Sequence, residues 1–217
     1  MKEYKLPIGC DVPETIILAD GDFPSHPLAL EWLRQCPYVV CCDGAANTYI
    51  RSGRMPEAIV GDGDSLLPDI KERYASLIHS EAEQETNDLS KAFRFCLSQE
   101  RKRITIMGAT GKREDHTIGN VSLLADYMEQ AEVSMMTDYG IFVPIREDSM
   151  FESYIGQQIS VFNMNSTALS AEGLAYPLSV FTNWWQGTLN EALARHFIIR
   201  TEGKVLVFRV GIFSKCL

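Results

Sequence analysis

Short apolar runs alternate with segments of helical periodicity over roughly the first 138 residues. The runs are rich in Val and Ile, and their near-continuous apolar character predicts strands that are buried on both faces. These strands are predicted at residues 15–19, 38–42, 57–60, 103–107 and 132–136.

Amphipathic stripes between these runs predict helices. Apolar side chains recur at helical spacing in residues 27–36, 68–77 and 87–98, and Pro27 and Pro68 stand where a first helical turn tolerates proline. Alternation of strands and helices predicts an α/β fold with a doubly wound, mostly parallel sheet.

The pattern changes after Tyr139-Gly140. Residues 141–145, 157–162 and 204–210 resemble strands separated by Gly, Asn, Ser and Pro, and residues 189–196 are the one candidate helix. This pattern is typical of an antiparallel sandwich. We therefore expect an α/β domain at residues 1–146 and a smaller all-β, sandwich-like domain at residues 147–217.

Composition narrows the class of protein. The chain has 217 residues, of which 46% are hydrophobic, and a net charge of −9 without a basic patch. Binding to nucleic acid is therefore not expected. No apolar run reaches the roughly 18 residues that a membrane helix needs, and the N-terminus lacks a signal-peptide pattern. Six cysteines without C-x-x-C spacing indicate a reducing compartment, so a cytoplasmic protein is expected.

Candidate chemistry begins at Gly61-Asp62-Gly63-Asp64-Ser65, directly after a predicted strand. Carboxylates at i and i+2 on extended backbone point the same way, and two adjacent like charges favour a cation. Mg²⁺ takes such oxygen ligands and usually shares its shell with substrate phosphates. An ordinary solvated turn is the alternative, because Gly, Asp and Ser are common turn residues.

Polar residues also follow other predicted strands. Asp20-Gly21-Asp22, Asp43-Gly44-Ala45-Ala46-Asn47 and the segment from Gly108 to His116 occupy equivalent positions. Ligands of an open parallel sheet bind beyond the carboxyl ends of its strands, so a shared cleft is expected there. Asp88, at the entry to a helix, is expected to join Asp62 and Asp64 as a metal ligand. Thr86 or Asn87 in the same segment also satisfies a simple N-cap.

The segment from Gly108 to His116 is the phosphate candidate. Gly108 and Gly111 allow backbone N–H groups to approach an anion, and Lys112 and Arg113 add positive charge. The spacing is not that of a P-loop, which has a longer loop and a hydroxyl residue after its lysine. His116 follows a carboxylate and is either a direct participant or a structural hydrogen-bond partner.

In order and spacing, these motifs resemble those of the thiamine pyrophosphokinase family. The family's D-G-A-x-N is matched by Asp43 to Asn47, its G-D-x-D-S by Gly61 to Ser65, and its G-x-x-G-x-R-x-D-H by Gly108 to His116. Its Q-D-x-T-D appears as Gln84-Glu85-Thr86-Asn87-Asp88, with Glu for Asp and Asn for Thr.

The C-terminal resemblance is weaker. Gly173 to Tyr176 resembles the family's G-L-K-W with tyrosine in place of tryptophan, and Gly187 to Glu191 resembles its distal S-x-S-N with Leu189 in place of a serine. The family also implies a homodimer whose active sites combine the α/β domain of one subunit with the β domain of the other.

The resemblance implies pyrophosphoryl transfer from ATP to the hydroxyethyl group of thiamine, with Mg²⁺ as cofactor and AMP as the leaving group. It implies metal ligation by Asp62, Asp64 and Asp88, catalytic roles for these and for Arg113 and Asp115, and thiamine contacts from Gln84, Tyr176 and Asn190. The expected nucleotide-binding residues are Asp43, Gly44, Ser65, Asn87, Gly111, Lys112, Arg113 and His116.

Two alternatives remain open at this point. One is a related Mg²⁺-dependent pyrophosphokinase or phosphohydrolase that acts on another substrate, because Asn87, Tyr176 and Leu189 depart from the family pattern. The other is a regulator that binds thiamine or a nucleotide without turnover.

Overall fold

The computed structural model describes residues 1–7, 11–81 and 85–211. Within them, the helices are α1 (Pro27–Gln35), α2 (Ala45–Arg51), α3 (Pro68–Arg73), α4 (Asp88–Ser98) and α5 (Glu114–Tyr127). The strands are β1 (Lys2–Tyr4), β2 (Thr15–Leu18), β3 (Val39–Cys42), β4 (Ala58–Gly61), β5 (Ile78–Ser80), β6 (Arg103–Met107), β7 (Glu132–Met136), β8 (Gly140–Ile145), β9 (Ser149–Glu152), β10 (Gln158–Asn163), β11 (Leu169–Glu172), β12 (Asn190–Glu191), β13 (His196–Thr201) and β14 (Val205–Val210).

The larger sheet has the strand order β12-β10-β14-β8-β7-β6-β2-β3-β4-β5. All neighbours from β7 to β5 pair in parallel, whereas β8 pairs antiparallel with β7. The chain runs outward from β2 through β3, β4 and β5 and then returns to the other side of β2 as β6. The carboxyl ends of β2 and β6 therefore flank a topological switch point, where open α/β sheets bind ligands.

Alternating side chains of β2 explain why helices cover both faces of this parallel part. Ile17 packs in one apolar cluster with Leu89 of α4 and Leu124 of α5, while Ile16 packs in another with Trp32 of α1. Successive residues of a strand point to opposite faces, so a short continuous apolar run serves both layers. The expected doubly wound architecture follows from this pattern.

The smaller sheet has the order β1-β9-β13-β11. Its Phe151 and Phe197 stack with ring centroids 5.0 Å apart, and they share an apolar cluster with Ile159 of β10 and Val207 of β14. The antiparallel strands that extend the larger sheet thus pack on the smaller sheet. This arrangement confirms the expected fold class of an α/β part followed by a smaller β-sheet part.

Several local expectations were wrong or incomplete. Residues 189–196 are not a helix, because they form β12, a connecting segment and the start of β13. Helices α2 and α5 were not expected, since their sequences begin inside motifs that resemble loops and α5 has only a weak apolar stripe. The boundary between residues 146 and 147 stays a prediction: the larger sheet extends across it, and β1 pairs with β9.

Within the described ranges, no helix combines the length and the apolar character needed to cross a membrane.

Candidate functional site

A cleft of about 420 Å³ opens at the carboxyl ends of β2, β3, β4 and β6. Its size falls in the range of small-molecule sites, roughly 300–1,000 Å³. The polar side chains that line it come from five separate segments and are Asp20, Asp43, Asp62, Ser65, Thr86, Asn87, Asp88, Lys91, Lys112, Arg113, His116 and Asn120. The chain thus brings the acidic motifs and the basic glycine-containing loop to one cavity at the switch point.

Asp43 is the most deeply buried carboxylate of this cleft, with 4% of its surface exposed. One of its oxygens, Oδ2, accepts a hydrogen bond from the Ser65 amide at 3.0 Å. The other, Oδ1, is buried and has no hydrogen-bond partner among the described residues. Burial raises the pKa of Asp43, and the neighbouring charges of Asp88 and Asp62 add to this rise. Asp43 therefore marks a pocket of uncompensated negative charge.

Gly61 allows two of these carboxylates to approach each other. A Cβ atom at this position would lie 2.8 Å from Cβ of Asp43 and 3.4 Å from Cγ of Asp88. Any larger residue at the end of β4 would push these side chains apart. Asp43, Asp62 and Asp88 form the acidic wall of the cleft, and close packing within this wall requires glycine at position 61.

Asn47 fixes the loop that follows Gly61. Its side-chain amide donates to the Ser65 carbonyl at 2.8 Å and accepts from the Leu67 amide at 3.0 Å. The loop that carries Asp62 and Asp64 is therefore anchored to the start of α2. This contact gives a structural reason for the spacing between the two motifs.

Asp62 and Asp64 do not share one extended face. Asp62 lines the cleft, whereas Asp64 is exposed outside the lining and its amide donates to Oδ1 of Asp62 at 3.1 Å. The strand ends at Gly61 and Gly63 has φ +79°, so the backbone turns between the two carboxylates. The expectation that both point the same way on extended backbone was wrong for this geometric reason.

Asp88 begins α4 and pairs with a buried lysine one turn later. Lys91 Nζ lies 3.1 Å from Oδ1 of Asp88, and only 3% of the lysine side chain is exposed. Asn87 caps the helix by accepting from the Ser90 amide at 2.9 Å, and its Nδ2 donates to Asn120 at 3.1 Å. Asn87 is thus the N-cap of the helix, and Asp88 lies in the cleft, as expected for each.

Asn120 links α4 to the basic loop. It accepts the hydrogen bond from Asn87, and its own Nδ2 donates to the Ala109 carbonyl at 2.9 Å. Farther along the same two helices, the rings of Phe93 and Tyr127 stack with centroids 3.9 Å apart. These contacts hold Asp88 and the basic loop at a fixed separation across the cleft.

Both cations of the basic loop are paired with carboxylates. Lys112 Nζ lies 3.0 Å from Oδ1 of Asp20, and Arg113 binds Asp115 with two N–H donors at 3.1 and 2.6 Å. The Arg113 guanidinium lowers the pKa of Asp115 to about 2. His116 lines the cleft and its amide donates to Asp115, which itself lies outside the lining.

The cleft carboxylates do not form a closed metal shell. Within residues 1–7, 11–81 and 85–211, no group of three His, Cys, Asp or Glu side chains could hold a metal ion. Mg²⁺ commonly binds through one or two carboxylates and keeps its other positions for water and phosphate oxygens. The unpartnered Oδ1 of Asp43 and the nearby Asp62 and Asp88 suit this open type of hard-cation site.

The expected substrate residues of the C-terminal part lie apart from the cleft lining. Tyr176 is 65% exposed, whereas Asn190 is buried. Oδ1 of Asn190 accepts from the Tyr176 amide at 3.0 Å, and its Nδ2 donates to the Tyr176 carbonyl at 2.8 Å. Asn190 therefore positions the backbone of Tyr176. The third expected residue, Gln84, lies outside the described residues.

Sequence reasoning missed four polar cleft residues as site candidates, of which Thr86 was considered only as an N-cap. Asp20 was noted only as a polar strand end, and Asn120 lies on a helix that was not expected. Lys91 carried a detectable signal, because it stands three positions after Asp88 in α4, a spacing at which opposite charges on a helix can pair.

Two family models match this chain. The model described as the catalytic domain of thiamin pyrophosphokinase matches residues 29–136, and the model of its substrate-binding domain matches residues 140–208. Together they span most of the chain.

Individual proteins agree with these matches. Thiamine pyrophosphokinase 1 of Oryza sativa is 30% identical over an aligned length of 129 residues, and the alignment covers 48% of this chain and 49% of the rice protein. The chain spans about half the length of these curated relatives.

Solved structures show the same fold. The thiamin pyrophosphokinase of Candida albicans superposes with a TM-score of 0.76 at 18% identity, covering 95% of this chain and 93% of that one. The yeast enzyme gives 0.78 at 16% identity, with 96% and 90% covered. Because the two family models match most of the chain and the cleft carries the family's motifs, the chain belongs to the thiamin pyrophosphokinase family.

Proposed function

We propose that this chain is a thiamine diphosphokinase, which transfers pyrophosphate from ATP to the hydroxyethyl oxygen of thiamine and releases AMP. The observation that supports this most directly is the convergence of an acidic wall and a basic loop on one cleft. Polyphosphate transfer depends mainly on positioning and on neutralising negative charge, and the two walls supply both requirements. Family membership supports the identity of the two substrates.

The basic loop, from Gly108 to His116, binds the triphosphate in this proposal. Gly111 gives the backbone close access, while Lys112 and Arg113 face phosphate oxygens and His116 lies beside them. Asp115 orients Arg113 through its paired hydrogen bonds. The remaining nucleotide contacts are proposed for Asp43, Gly44, Ser65 and Asn87.

The acidic wall holds Mg²⁺ through Asp62, Asp64 and Asp88. A bound divalent cation neutralises charge that develops on the transferring phosphates. Lys91 positions Asp88 through its ion pair, and Asp43 accepts from the Ser65 amide of the loop that carries Asp62. A cleft carboxylate within hydrogen-bond reach accepts the proton of the thiamine hydroxyl. The buried, unpartnered Oδ1 of Asp43 supports placing a cation at this wall.

The thiamine side of the site comes from Gln84, Tyr176 and Asn190. Tyr176 presents an exposed ring that suits stacking on a cationic heterocycle, and Asn190 holds its backbone. Because neither residue reaches the cleft lining of its own chain, we propose a homodimer in which they complete the partner's site. A reducing cytoplasm is proposed as the compartment, in keeping with the free thiols of Cys36, Cys41, Cys42 and Cys96.

One assay tests the reaction. Purified protein with ATP, Mg²⁺ and thiamine should form thiamine diphosphate and AMP in equal amounts, measured by chromatography. Reactions without thiamine or with excess EDTA are the controls and should form neither product. Release of ADP or phosphate instead would identify a different phosphoryl-transfer enzyme, and binding without turnover would identify a regulator.

A further inference from the structure

The switch point of the sheet carries an ion pair between its two sides. Asp20 lies in the loop after β2 and Lys112 in the loop after β6, and Nζ of the lysine lies 3.0 Å from Oδ1 of the carboxylate. Both residues line the cleft, and about half of each side chain is exposed. The pair therefore lies where the proposed polyphosphate would enter.

The backbone on the Asp20 side is fixed by the basic loop itself. The Gly21 amide donates to the Gly108 carbonyl at 2.6 Å, and the Asp22 amide donates to the Thr110 carbonyl at 2.8 Å. These bonds join the two loops immediately beside the ion pair. The main chain at Asp20 is thus held beside the loop that carries Lys112.

Asp20 also reaches the acidic side of the cleft. A Cβ atom at Gly44 would lie only 2.7 Å from Oδ2 of Asp20, while Oδ1 faces Lys112. The carboxylate therefore lies between Gly44, after the end of β3, and the basic loop. It occupies the position from which an anion would contact Lys112.

We propose that Asp20 competes with nucleotide polyphosphate for Lys112 and thereby lowers the affinity of the cleft for ATP. This inference rests on the proposed function, because it takes the cleft as the nucleotide site. Arg113 lines the cleft but its partner Asp115 does not, whereas the partner of Lys112, Asp20, lies within the cleft and must be displaced there. Binding of phosphate to Lys112 breaks its ion pair with Asp20. The free energy needed to break this pair makes ATP binding less favourable.

The test is calorimetric titration with ATP in EDTA and at low ionic strength, repeated with Mg²⁺. Asp20→Asn removes the charge and keeps the shape of the side chain. We expect it to bind ATP about three- to tenfold more tightly than wild type, and the gain to shrink at 0.5 M salt because exposed charges are screened. Glu31→Gln is the matched control, since it removes one charge from the surface pair with Arg34 on α1. It should leave the ATP affinity unchanged.

A double-mutant cycle shows whether the effect acts through the lysine. Lys112→Met alone should weaken ATP binding, and adding Asp20→Asn to it should change the affinity less than twofold. If Asp20→Asn raises the ATP affinity of the Lys112→Met variant as much as that of wild type, Asp20 does not act by competing for Lys112. Thermal unfolding of each variant verifies that the fold is intact, which is expected because both side chains are half exposed.

The remaining outcomes also decide the question. Unchanged or weaker ATP binding by Asp20→Asn, with normal binding by wild type, would overturn this inference and leave the proposed function standing. Absence of ATP binding by wild type, both in EDTA and with Mg²⁺, would overturn the nucleotide site together with this inference.

Discussion

The side chain of Asn190 clamps the backbone of Tyr176 from both sides, with hydrogen bonds of 3.0 Å to its amide and 2.8 Å to its carbonyl. Asn190 is buried and Tyr176 is exposed. A buried positioning residue and an exposed contact residue should respond differently to truncation.

We predict that Asn190→Ala lowers stability and Tyr176→Ala does not. Loss of the buried amide should cost about 1–3 kcal/mol, because it leaves backbone groups without partners. Tyr176→Ala should stay within about 0.5 kcal/mol of wild type, as is usual for exposed positions. Both should raise KM for thiamine, by about tenfold for Tyr176→Ala if its ring stacks on the cation. Urea unfolding and steady-state kinetics measure these effects, and an unchanged KM for Tyr176→Ala would remove it from the site.

Gly61→Ala should damage the acidic wall. The added Cβ would lie 2.8 Å from the Asp43 side chain, and relieving such overpacking typically costs about 1–3 kcal/mol. Displaced carboxylates should lower turnover by about a hundredfold, as expected for misplacement of catalytic groups by about 1 Å. Gly119→Ala is the control, because nothing lies within 4 Å of a Cβ there. In α5 it should be neutral or stabilising, and equal behaviour of the two variants would contradict the packing argument.

The sequence predicted the parallel sheet and the meeting of its polar strand ends, because both follow from local patterns. Strands β6 and β7 have the expected bounds, and the cleft gathers Asp43, Asp62, Asp88 and Lys112. Asp43, Asp62 and Lys112 follow strands whose carboxyl ends lie at one edge of the sheet. Asp88 begins a helix beside that edge. Periodicity and position along the chain were sufficient for this part of the site.

Other features depend on contacts between distant segments. The turn at Gly63 that separates Asp62 from Asp64 requires a backbone φ that no residue pattern specifies. The pairing of Asp20 with Lys112 joins residues 92 positions apart. The role of Asn190 was likewise hidden, because its partner is the main chain of Tyr176 and main-chain contacts leave no motif of their own.

The three proposed metal ligands can be compared by removing one charge at a time. Asp62→Asn and Asp88→Asn should each lower turnover at least about a hundredfold, since each removes a cleft carboxylate charge. Asparagine keeps the oxygen that accepts from the Asp64 amide or from Lys91, so the fold should be retained. Kinetics at several Mg²⁺ concentrations measure the loss.

Asp64→Asn is the most informative of these variants. Its carboxylate is exposed outside the cleft lining, and the proposal requires it to turn inward when the cation binds. We expect a loss of turnover by orders of magnitude here too. Near-wild-type activity would restrict the ligand set to Asp62 and Asp88. Asp126→Asn, an exposed position on α5, is the control and should retain full activity.

Asp115 should stay ionised in moderately acidic solution. Arg113 lowers its pKa to about 2 from an ordinary value of 3.8. Because the folded-state pKa is depressed, the pair stabilises the fold above about pH 4, and this contribution is lost as the pH falls toward 2. Carboxyl ¹³C shifts at pH 3.8 should show Asp115 almost fully ionised in wild type and about half protonated in Arg113→Met. Equal ionisation in the two proteins would show that Arg113 does not hold this carboxylate in solution.

A shared active site predicts complementation between two impaired variants. They are assayed at thiamine well below the wild-type KM, where the roughly tenfold rise in KM expected for Tyr176→Ala lowers the rate about tenfold. Asp62→Asn damages the cleft, whereas Tyr176→Ala damages the surface proposed to complete the partner's cleft. If subunits of a homodimer mix at random, half of the dimers are mixed, and each mixed dimer has one site free of both substitutions. Co-expression should then restore about a quarter of the wild-type activity.

The alternative geometry predicts a different result. If each chain completes its own site, every site in the mixture carries one substitution and no activity above that of the two separate variants returns. Light scattering coupled to size exclusion establishes the dimer, and a mixture of Asp62→Asn with Asp88→Asn is the control. Both of these changes affect the cleft itself, so a mixed dimer has no intact site and should stay inactive. Recovery in the first mixture without recovery in the second would place Tyr176 opposite the partner's carboxylates.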